Sequence, residues 1–331
     1  MTTIRDVAVR AGVSIATVSR VLNRVEYPIR SAIRERVLRA AEELDFRPSS
    51  VARALAGRET RTLALVVPDI ANPYYPRLAR GAEDVASQQG YALLICNTDY
   101  SDQKLAIYVG ILRDKRVDGV LLAGGGSEHE AVLAELSASG LPMVAVGRHP
   151  LDVPSVRIDN VRAGQAATEY LLKLGRRRIA FLGGPRDHTT VLDRRLGYRR
   201  ALRQAGLRPT PALELEGDFT PQAGERAARR LLEARRRPDG LFVLNDNMAI
   251  GALEVFKQRG VRVPREIAVI GFDDLPLAGY VEPSLSSVAV PAYELGATAA
   301  RLLIQRLRGQ EVRPVVWLAT SIVERASTIG S

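Results

Sequence analysis

Residues 3–23 have the sequence TIRDVAVRAGVSIATVSRVLN, and this stretch predicts two short helices separated by a turn at Gly12. Thr3 and Ser14 are the expected N-caps, because their side-chain oxygens can accept hydrogen bonds from the first turn of each helix. Apolar residues recur at three- and four-residue spacing and give each helix one buried face: Ile4, Val7, Ala8, Ala11, Val18, Val21 and Leu22. A helix, a turn that contains glycine and a second helix form the helix-turn-helix plan, which predicts a DNA-binding segment.

In that plan the second helix enters the major groove, and its N-terminal residues face the base edges. Ser14, Ile15, Ala16 and Thr17 begin this helix, and Arg20 follows one turn later. Arg20 can form two hydrogen bonds with guanine, whereas Ile15 and Ala16 can contact only DNA shape and thymine methyl groups. The hydroxyls of Ser14 and Thr17 suit phosphate or capping contacts. The pattern alone also allows a small helical bundle with an exposed arginine.

A third helix is predicted to start near Ser31, with one apolar face made of Ile33, Val37, Ala40, Ala41 and Leu44. Residues 51–56 predict a brief further helix that ends at Gly57, and residues 58–61 are polar and suggest a linker. A helix this short is unstable on its own, so we expect it to fold only when it binds DNA.

From about residue 62 the sequence alternates between short apolar runs and longer helical patterns. This alternation predicts parallel strands that are covered by helices on both faces. Eight such runs are present: Leu63–Val67, Tyr91–Cys96, Val120–Ala123, Met143–Val146, Ile179–Leu182, Leu241–Leu244, Ile267–Ile270 and Val315–Leu318. The expected fold is therefore α/β, with two doubly wound subdomains rather than one.

Glycine and polar residues follow these runs, at the strand ends where such folds bind ligands. The segments are Pro68-Asp69, Asn97-Thr98-Asp99, Gly124-Gly125-Gly126, Gly147-Arg148, Gly183-Gly184-Pro185, Asn245-Asp246 and Gly271-Phe272-Asp273-Asp274. They predict a small-molecule cleft. The glycine triplet is too compact for a dinucleotide-binding fingerprint, and no acidic residue follows at the right distance, so we expect no nicotinamide cofactor.

The composition indicates a soluble cytoplasmic protein. The chain has 331 residues, enough for two or three domains, and a net charge of +10. That charge suggests a polyanionic partner or, equally, the arginine bias of a GC-rich genome. Cys96 is the single cysteine and is expected to be a small buried strand residue, which fits a reducing compartment. The N-terminus is charged where a signal peptide would be apolar, and no run approaches the ~20 apolar residues of a membrane span.

Two further features carry no predicted function. The three histidines lie far apart, so neither a zinc site nor any other cofactor is expected. The basic runs Arg176–Arg178 and Arg235–Arg237 flank helices, where arginine is normally a solvated cap.

Residues 3–23 resemble the N-terminal signature of the lactose/galactose repressor family, and residues 46–57, FRPSSVARALAG, resemble its hinge segment. The resemblance continues to the C-terminus. It implies a dimeric transcription regulator that binds a palindromic operator, with Ala52 and Leu55 of the hinge contacting DNA. The matching leucine of the family wedges into the minor groove at the operator centre, where a flexible CG step deforms most easily. Packing of Leu55 on the sensor domain is the alternative.

The same resemblance implies a sensor of the periplasmic-binding-protein type, with a ligand cleft between two subdomains. The expected divisions are 1–47 for the helix-turn-helix domain, 48–61 for the hinge helix and linker, 62–160 with 291–319 for the sensor N-subdomain, and 161–290 with 320–331 for the sensor C-subdomain.

Eight residues match effector-binding positions of the family: Asn72, Tyr74, Tyr75, Arg148, Arg194, Phe219, Asn245 and Asp273. Aromatic rings can cover the apolar face of a sugar, while amides and carboxylates bind its hydroxyls. The resemblance therefore implies a sugar or sugar derivative as effector. The alternatives are ordinary packing at a helix start for the tyrosine pair, a surface ion pair for Arg194, and a helix N-cap for Asp273 with Asp274.

Two positions depart from the family pattern. Gly147 stands where the family often has an aspartate before the arginine, and Val290 stands where a glutamine is common. A carboxylate and an amide are therefore missing, and a buried hydroxyl without a partner would be penalised. We expect an effector with fewer hydroxyls, or an anion that pairs with Arg148 and Arg194.

The leading hypothesis is a repressor of carbohydrate-utilisation genes that its effector releases from DNA. A second is a co-repressor type of regulator, strengthened by a purine, a sugar phosphate or a partner protein. A solute-binding protein is disfavoured by the helix-turn-helix and by the missing signal peptide. An enzyme would use Asp273 and Asp274 as a carboxylate pair, but no nucleophile, base and orienting group accompany them. The sequence shows no C-terminal leucine heptads, which predicts a dimer and not a tetramer.

Overall fold

The computed structural model describes residues 2–22, 28–46, 60–124 and 130–330. The chain divides between Thr60 and Arg61 into two compact units. In its described part the first unit contains the helices α1 (Ile4–Ala11), α2 (Ile15–Leu22) and α3 (Ser31–Glu43). The predicted hinge helix at 51–56 lies outside the described residues.

Local hydrogen bonds and a glycine explain where α1 begins and ends. Thr3 Oγ1 accepts a hydrogen bond from Asp6 N (3.4 Å), and Asp6 Oδ2 accepts one from Thr3 N (2.8 Å), which makes a capping box. Gly12 ends α1 in the left-handed region, with φ of 63°. Small apolar residues then pack the three helices on one core: Val7, Ala8, Ala11, Val18, Val21, Val37, Ala40 and Ala41.

The described part of the second unit contains two six-stranded sheets. The strands of the first sheet are β1 (Thr62–Val67), β2 (Ala92–Asn97), β3 (Gly119–Ala123), β4 (Met143–Val146), β5 (Ser155–Ile158) and β11 (Val315–Leu318). Their order is β11-β5-β4-β3-β1-β2, and all neighbours are parallel.

The strands of the second sheet are β6 (Ile179–Leu182), β7 (Glu214–Leu215), β8 (Gly240–Val243), β9 (Ala268–Asp273), β10 (Ser286–Ala289) and β12 (Ser321–Val323). Their order is β12-β10-β9-β8-β6-β7, and β12 is antiparallel to β10 while the other neighbours are parallel. Because parallel strands end at the same edge, each sheet gathers the loops after its strands at one edge.

Helices cover the sheets and connect the strands. They are α4 (Tyr74–Gln88), α5 (Asp102–Asp114), α6 (Glu130–Ala138), α7 (Asn160–Lys173), α8 (Thr189–Gln204), α9 (Pro221–Glu233), α10 (Asp246–Gln258), α11 (Ala292–Leu307) and α12 (Ala326–Ile329). In the described ranges, none of the helices is long and apolar enough to cross a membrane.

Reciprocal glycines let three helix pairs pack closely. The pairs are Gly81 with Gly296 for α4 and α11, Gly164 with Gly197 for α7 and α8, and Gly224 with Gly251 for α9 and α10. A Cβ atom on Gly296 would lie 1.9 Å from the carbonyl oxygen of Leu78, and one on Gly81 would lie 2.0 Å from that of Tyr293. Any side chain at these crossings would force the helices apart.

The α/β fold with two sheets is confirmed, but the count of eight strands was too low. Each predicted run contains a strand, and Cys96 is buried in β2 as expected. The sequence missed β5, β7, β10 and β12, which are short and contain polar residues. Strand β10 illustrates the reason, because Ser286 and Ser287 are fully buried and their hydroxyls are hydrogen-bonded to Arg325, Thr328 and Asp246.

Candidate ligand pocket and DNA-reading helix

A pocket in the second unit lies between the carboxyl ends of the strands of the two sheets. The first sheet contributes residues that follow each of β1 to β5, and the second contributes residues that follow or end β6, β7, β8 and β9. The structure brings together here the eight residues assigned to effector binding: Asn72, Tyr74, Tyr75, Arg148, Arg194, Phe219, Asn245 and Asp273.

Arg194 projects from α8 and is buried, so the alternative of a surface ion pair is wrong. Its Nη1 donates to Leu244 O (2.6 Å), and its Nε donates to Asn160 Oδ1 (2.9 Å). Its guanidinium carbon lies 3.4 Å from the centre of the Phe272 ring, which adds a cation–π contact. These contacts hold the guanidinium in one position at the pocket wall.

Asp273 is the last residue of β9 and is 6% exposed. Its φ of 102° lies in the left-handed region, which a non-glycine residue rarely adopts and which turns the chain sharply at the pocket. Burial raises the pKa of Asp273 to about 7, although the positive charges of Arg194 and Arg77 lower it. Near neutral pH this carboxyl group can therefore exist in both protonation states. It lines the pocket and is not the N-cap of a helix.

A second buried carboxyl group, Asp246, holds the segment after Asp273 in place. Asp246 Oδ2 accepts a hydrogen bond from Leu275 N (2.7 Å), and Oδ1 accepts one from the Ser287 hydroxyl (2.7 Å). The Ser287 hydroxyl oxygen in turn accepts from Asp274 N (3.0 Å). Burial raises the pKa of Asp246, and the nearby Asp273 raises it further. The sequence did not single out Asp246 for this positioning role.

Two of the asparagines that line the pocket, Asn72 and Asn245, use part of their hydrogen-bonding capacity inside the fold. Asn72 Oδ1 accepts from Tyr74 N (3.1 Å) just before α4. Asn245 is the N-cap of α10, where its Oδ1 accepts from Met248 N (2.9 Å) and its Nδ2 donates to Phe219 O (3.0 Å). Each amide is thereby held in one orientation and keeps some capacity for a ligand.

Aromatic rings form much of the remaining wall. Tyr74 and Tyr75 meet edge to face, with ring centroids 5.0 Å apart. Phe219 stacks on Tyr100 at 5.6 Å and meets His188 at 5.3 Å. Tyr100 follows β2 in the first sheet, whereas Phe219 follows β7 in the second, so their stack joins the two walls of the pocket.

Of the two residues that depart from the family pattern, Gly147 lines the pocket and Val290 does not. Gly147 lines the pocket with φ of 100°, a conformation in which a side chain would be strained. Val290 is buried and is not among the residues that line the pocket. Arg148 lines the pocket but donates two hydrogen bonds to the Asp193 carboxylate, at 2.9 and 3.2 Å. Its charge is thus already neutralised by a neighbouring side chain.

Sequence reasoning missed four polar or aromatic residues of the pocket: Tyr100, Asn160, His188 and Thr190. A signal existed for Tyr100, because it directly follows the strand-end segment Asn97-Thr98-Asp99. Asn160 follows β5, a strand that was not predicted, so its position at a strand end was hidden.

In the first unit, α2 presents the residues assigned to DNA. Ser14, Ile15, Ala16 and Arg20 are exposed, and Ile15 is 42% exposed although it is a large apolar residue. Ser14 Oγ accepts from Thr17 N (3.2 Å) and lies 2.9 Å from the Thr17 hydroxyl, so both hydroxyls serve the helix cap. Ala52 and Leu55 lie outside the described residues.

This combination defines a class of protein: a DNA-binding regulator with a helix-turn-helix unit and a periplasmic-binding-protein-like domain. Residues 3–49 match the family described as bacterial regulatory proteins, lacI family, and residues 168–328 match the periplasmic binding protein-like domain. The chain is 38% identical over 332 residues to the ribose operon repressor of Halalkalibacterium halodurans, covering 100% of this chain and 98% of that one.

Two solved structures are similar over almost the whole chain. A complex of the transcriptional regulator CelR with cellobiose is 34% identical, with a TM-score of 0.75, and the match covers 99% of this chain and 100% of that one. The Lac repressor dimer bound to operator and the anti-inducer ONPF is 26% identical, with a TM-score of 0.89, over 99% of each chain. The chain belongs to the LacI family: it is a DNA-binding transcriptional repressor and not an enzyme.

Proposed function

We propose that the protein represses carbohydrate-utilisation genes and that a small neutral sugar bound in the pocket lowers its affinity for the operator. One observation carries this proposal: aromatic rings and the buried side chains of Arg194 and Asp273 converge at the strand ends of both sheets. Two similar proteins, a ribose operon repressor and a regulator in complex with cellobiose, support a sugar as the ligand class.

The side chains of the pocket suit a sugar ring. An aromatic face can cover the apolar C–H face of the ring, and Tyr74, Tyr75 and Phe219 supply such faces. The Asp273 carboxylate can accept hydrogen bonds from two hydroxyls, while Arg194 can donate to sugar oxygens. A ligand held by both walls would favour the closed arrangement of the two subdomains, here taken as 62–160 with 291–319 and 161–290 with 320–331.

The charges of the pocket favour a neutral ligand over an anion. Arg148 is paired with Asp193, and Arg194 lies close enough to Asp273 to lower its pKa. An anionic effector such as a sugar phosphate would have to compete with Asp193 for Arg148, and it would lie close to the carboxyl group of Asp273. The loss of a family carboxylate at Gly147 further reduces the number of hydroxyls that the pocket can satisfy.

For DNA, we propose that two copies of the chain act as a dimer on a palindromic operator with a central CG step. The exposed residues Ile15, Ala16 and Arg20 of α2 would contact bases in the major groove, and Leu55 would wedge into the minor groove. A regulator of chromosomal genes would work in the cytoplasm.

The operator part is tested by selecting duplexes from a random library with the purified protein. We expect palindromes centred on CG, and we expect Leu55→Ala to lose specific affinity while it keeps the thermal unfolding of the wild type. Leu196→Ala replaces an exposed leucine of α8 and is the matched control. Unchanged operator affinity in Leu55→Ala would contradict the wedge.

The effector part is tested by thermal unfolding in the presence of pentoses, hexoses, sugar acids, sugar phosphates and purines. A ligand at 100 times its Kd adds about 2.7 kcal/mol to the free energy of unfolding. We expect stabilisation by a neutral sugar and its loss in Asp273→Asn. Stabilisation by a purine or a sugar phosphate alone, with tighter operator binding, would instead support the co-repressor type of regulator.

A further inference from the structure

Five arginines surround a second pocket. It lies at the edge of the second sheet opposite to the pocket proposed to bind a sugar, called the sugar pocket from here on. Arg177 and Arg178 precede β6, Arg236 and Arg237 precede β8, and Arg208 follows α8. The pocket therefore lies beside the amino ends of parallel strands, whereas the sugar pocket lies at their carboxyl ends. The two basic runs are far apart in sequence and meet only in the fold.

Asp239 holds the two runs side by side. Its Oδ1 accepts hydrogen bonds from the backbone N–H groups of Arg177 (3.1 Å) and Arg178 (2.8 Å), and its Oδ2 also accepts from Arg177 N (3.0 Å). The backbone N–H of Asp239 donates to Arg178 O (3.0 Å), and Arg178 Nε donates to Arg236 O (3.0 Å). These bonds place the arginine side chains around a defined concave surface rather than on independent loops.

This pocket has an apolar floor and a cationic rim. Ile179, Tyr198, Leu202, Leu207 and Leu213 form the floor. The pocket volume is about 370 Å³, a size typical of small-molecule sites. Of the described residues that line it, only Asp239 is acidic, and its carboxylate oxygens are occupied by backbone N–H groups.

The guanidinium groups of the rim have no carboxylate partner within the described part of the chain. By contrast Arg186, Arg199 and Arg226, from the same half of the unit, each lie 2.6–2.7 Å from a carboxylate oxygen. Glu266 is near Arg237, but it is bound by Arg262. Two of these groups donate one bond each to a backbone carbonyl, Arg178 Nε to Arg236 O and Arg237 Nε to Leu232 O. Mutual repulsion of five cations without a carboxylate partner is relieved when an anion binds among them, and the guanidinium fork matches the oxygens of phosphate groups.

We propose that this pocket binds a small polyphosphorylated molecule, with its phosphates on the arginine rim and the rest of the molecule on the apolar floor. Several phosphate groups on one ligand match the number of arginines better than a single carboxylate does. The concave shape with an apolar floor favours a small molecule over the convex backbone of duplex DNA. The site would give the protein a second input that does not depend on the sugar pocket.

Calorimetric titration of the full-length protein with inorganic tripolyphosphate and with ATP tests this site. In the variant Arg208→Gln with Arg237→Gln we expect about tenfold weaker binding or more, because two phosphate-binding forks are lost. The control variant Arg259→Gln with Arg306→Gln has the same net charge, and both arginines are exposed outside the pocket. We expect its binding to match that of the wild type. Thermal unfolding without ligand checks that both variants fold.

Three results would overturn the proposal. An equal loss of tripolyphosphate affinity in the pocket variant and in the control variant would show that the ligand is attracted by net charge alone. If neither tripolyphosphate nor ATP binds, the arginines form only a solvated surface. Weaker binding of non-specific duplex DNA, with unchanged tripolyphosphate binding, would make the patch a DNA contact instead. If the double variant unfolds, Arg208→Gln alone replaces it, because the Arg208 side chain is exposed and makes no hydrogen bond or ion pair among the described residues.

Discussion

The rings of Tyr100 and Phe219 stack with their centroids 5.6 Å apart and their planes 15° from parallel. Each ring belongs to a loop after a strand of a different sheet, and both residues have positive φ values, 56° and 69°. Both residues therefore have a backbone conformation that is unfavourable for residues other than glycine, one on each side of the pocket. The stack therefore connects the two walls at the place where a ligand would be enclosed.

Removal of the stack should weaken enclosure of the sugar. An aromatic pair contributes about 0.5–1.5 kcal/mol beyond simple burial, so we expect Tyr100→Ala to raise the Kd of the stabilising sugar by about 2- to 12-fold. Tyr100→Phe keeps the ring and should bind nearly as the wild type does. Calorimetric titration measures both constants. Wild-type affinity in Tyr100→Ala would show that the stack has no part in ligand binding.

Asp273 should make the stability of the protein depend on pH. Its pKa is raised from 3.8 to about 7 in the folded chain, so the folded state binds more protons than the unfolded state between these values. The free energy of unfolding therefore falls as pH rises from about 4 to about 7, by up to about 4 kcal/mol from this group. Asp273→Asn should lose this dependence and gain stability relative to the wild type at pH 8 but not at pH 4. Urea unfolding across this range measures the difference, and parallel curves for the two proteins would contradict the buried carboxyl.

The reciprocal glycines should resist substitution. Gly296→Ala would place a methyl group 1.9 Å from Leu78 O, and we expect it to lower the free energy of unfolding by about 1–3 kcal/mol or more. Gly110 lies inside α5, where an added Cβ atom would meet no other atom within 4 Å, so Gly110→Ala should instead stabilise by about 0.5–1 kcal/mol. Chemical unfolding compares the two variants, and similar effects at both sites would show that the helices can separate easily.

Arg20 should set base preference. A bidentate contact with guanine discriminates against other bases by about 1–3 kcal/mol, so Arg20→Ala should raise the operator Kd by about 5- to 150-fold and relax specificity at one base pair in each half-site. Arg10→Ala removes an arginine that is paired with Glu43 on the neighbouring helix, and it is the control for charge. Binding to the selected operator measures the loss of affinity, and binding to its single-base variants measures the loss of specificity. A uniform loss across all sequences would assign Arg20 to a phosphate contact.

Apolar runs made the main strands predictable, because fully buried parallel strands need apolar residues on both faces. Met143–Val146 and Ile179–Leu182 were predicted with their observed bounds. Strand β5 contains Arg157, whose Nε donates to Ser155 Oγ at 2.7 Å, and β10 buries two serines through bonds to residues about 40 positions away. Hydrogen bonds from distant residues allow these strands to contain buried polar side chains, and a local sequence pattern does not show such bonds.

The pocket residues followed from the family resemblance, whereas their protonation and pairing did not. The Arg148–Asp193 pair joins residues 45 positions apart, and it favours the neutral effector over the anion, the two alternatives that the sequence left open. Asp246 was expected only as part of the strand-end segment Asn245-Asp246, yet it is fully buried and anchors the segment after Asp273. Burial and long-range hydrogen bonds distinguish these residues, and neither is visible in a local sequence pattern.

Release of the repressor by a sugar is tested most directly by its affinity for the selected operator, measured with and without a sugar that binds the pocket. Fluorescence anisotropy of a labelled duplex at fixed salt gives both dissociation constants. Coupling of 1–3 kcal/mol between two sites predicts that the sugar raises the operator Kd by about 5- to 150-fold. An operator Kd that stays the same or falls, while calorimetry shows the sugar bound, would contradict release of the repressor by a sugar.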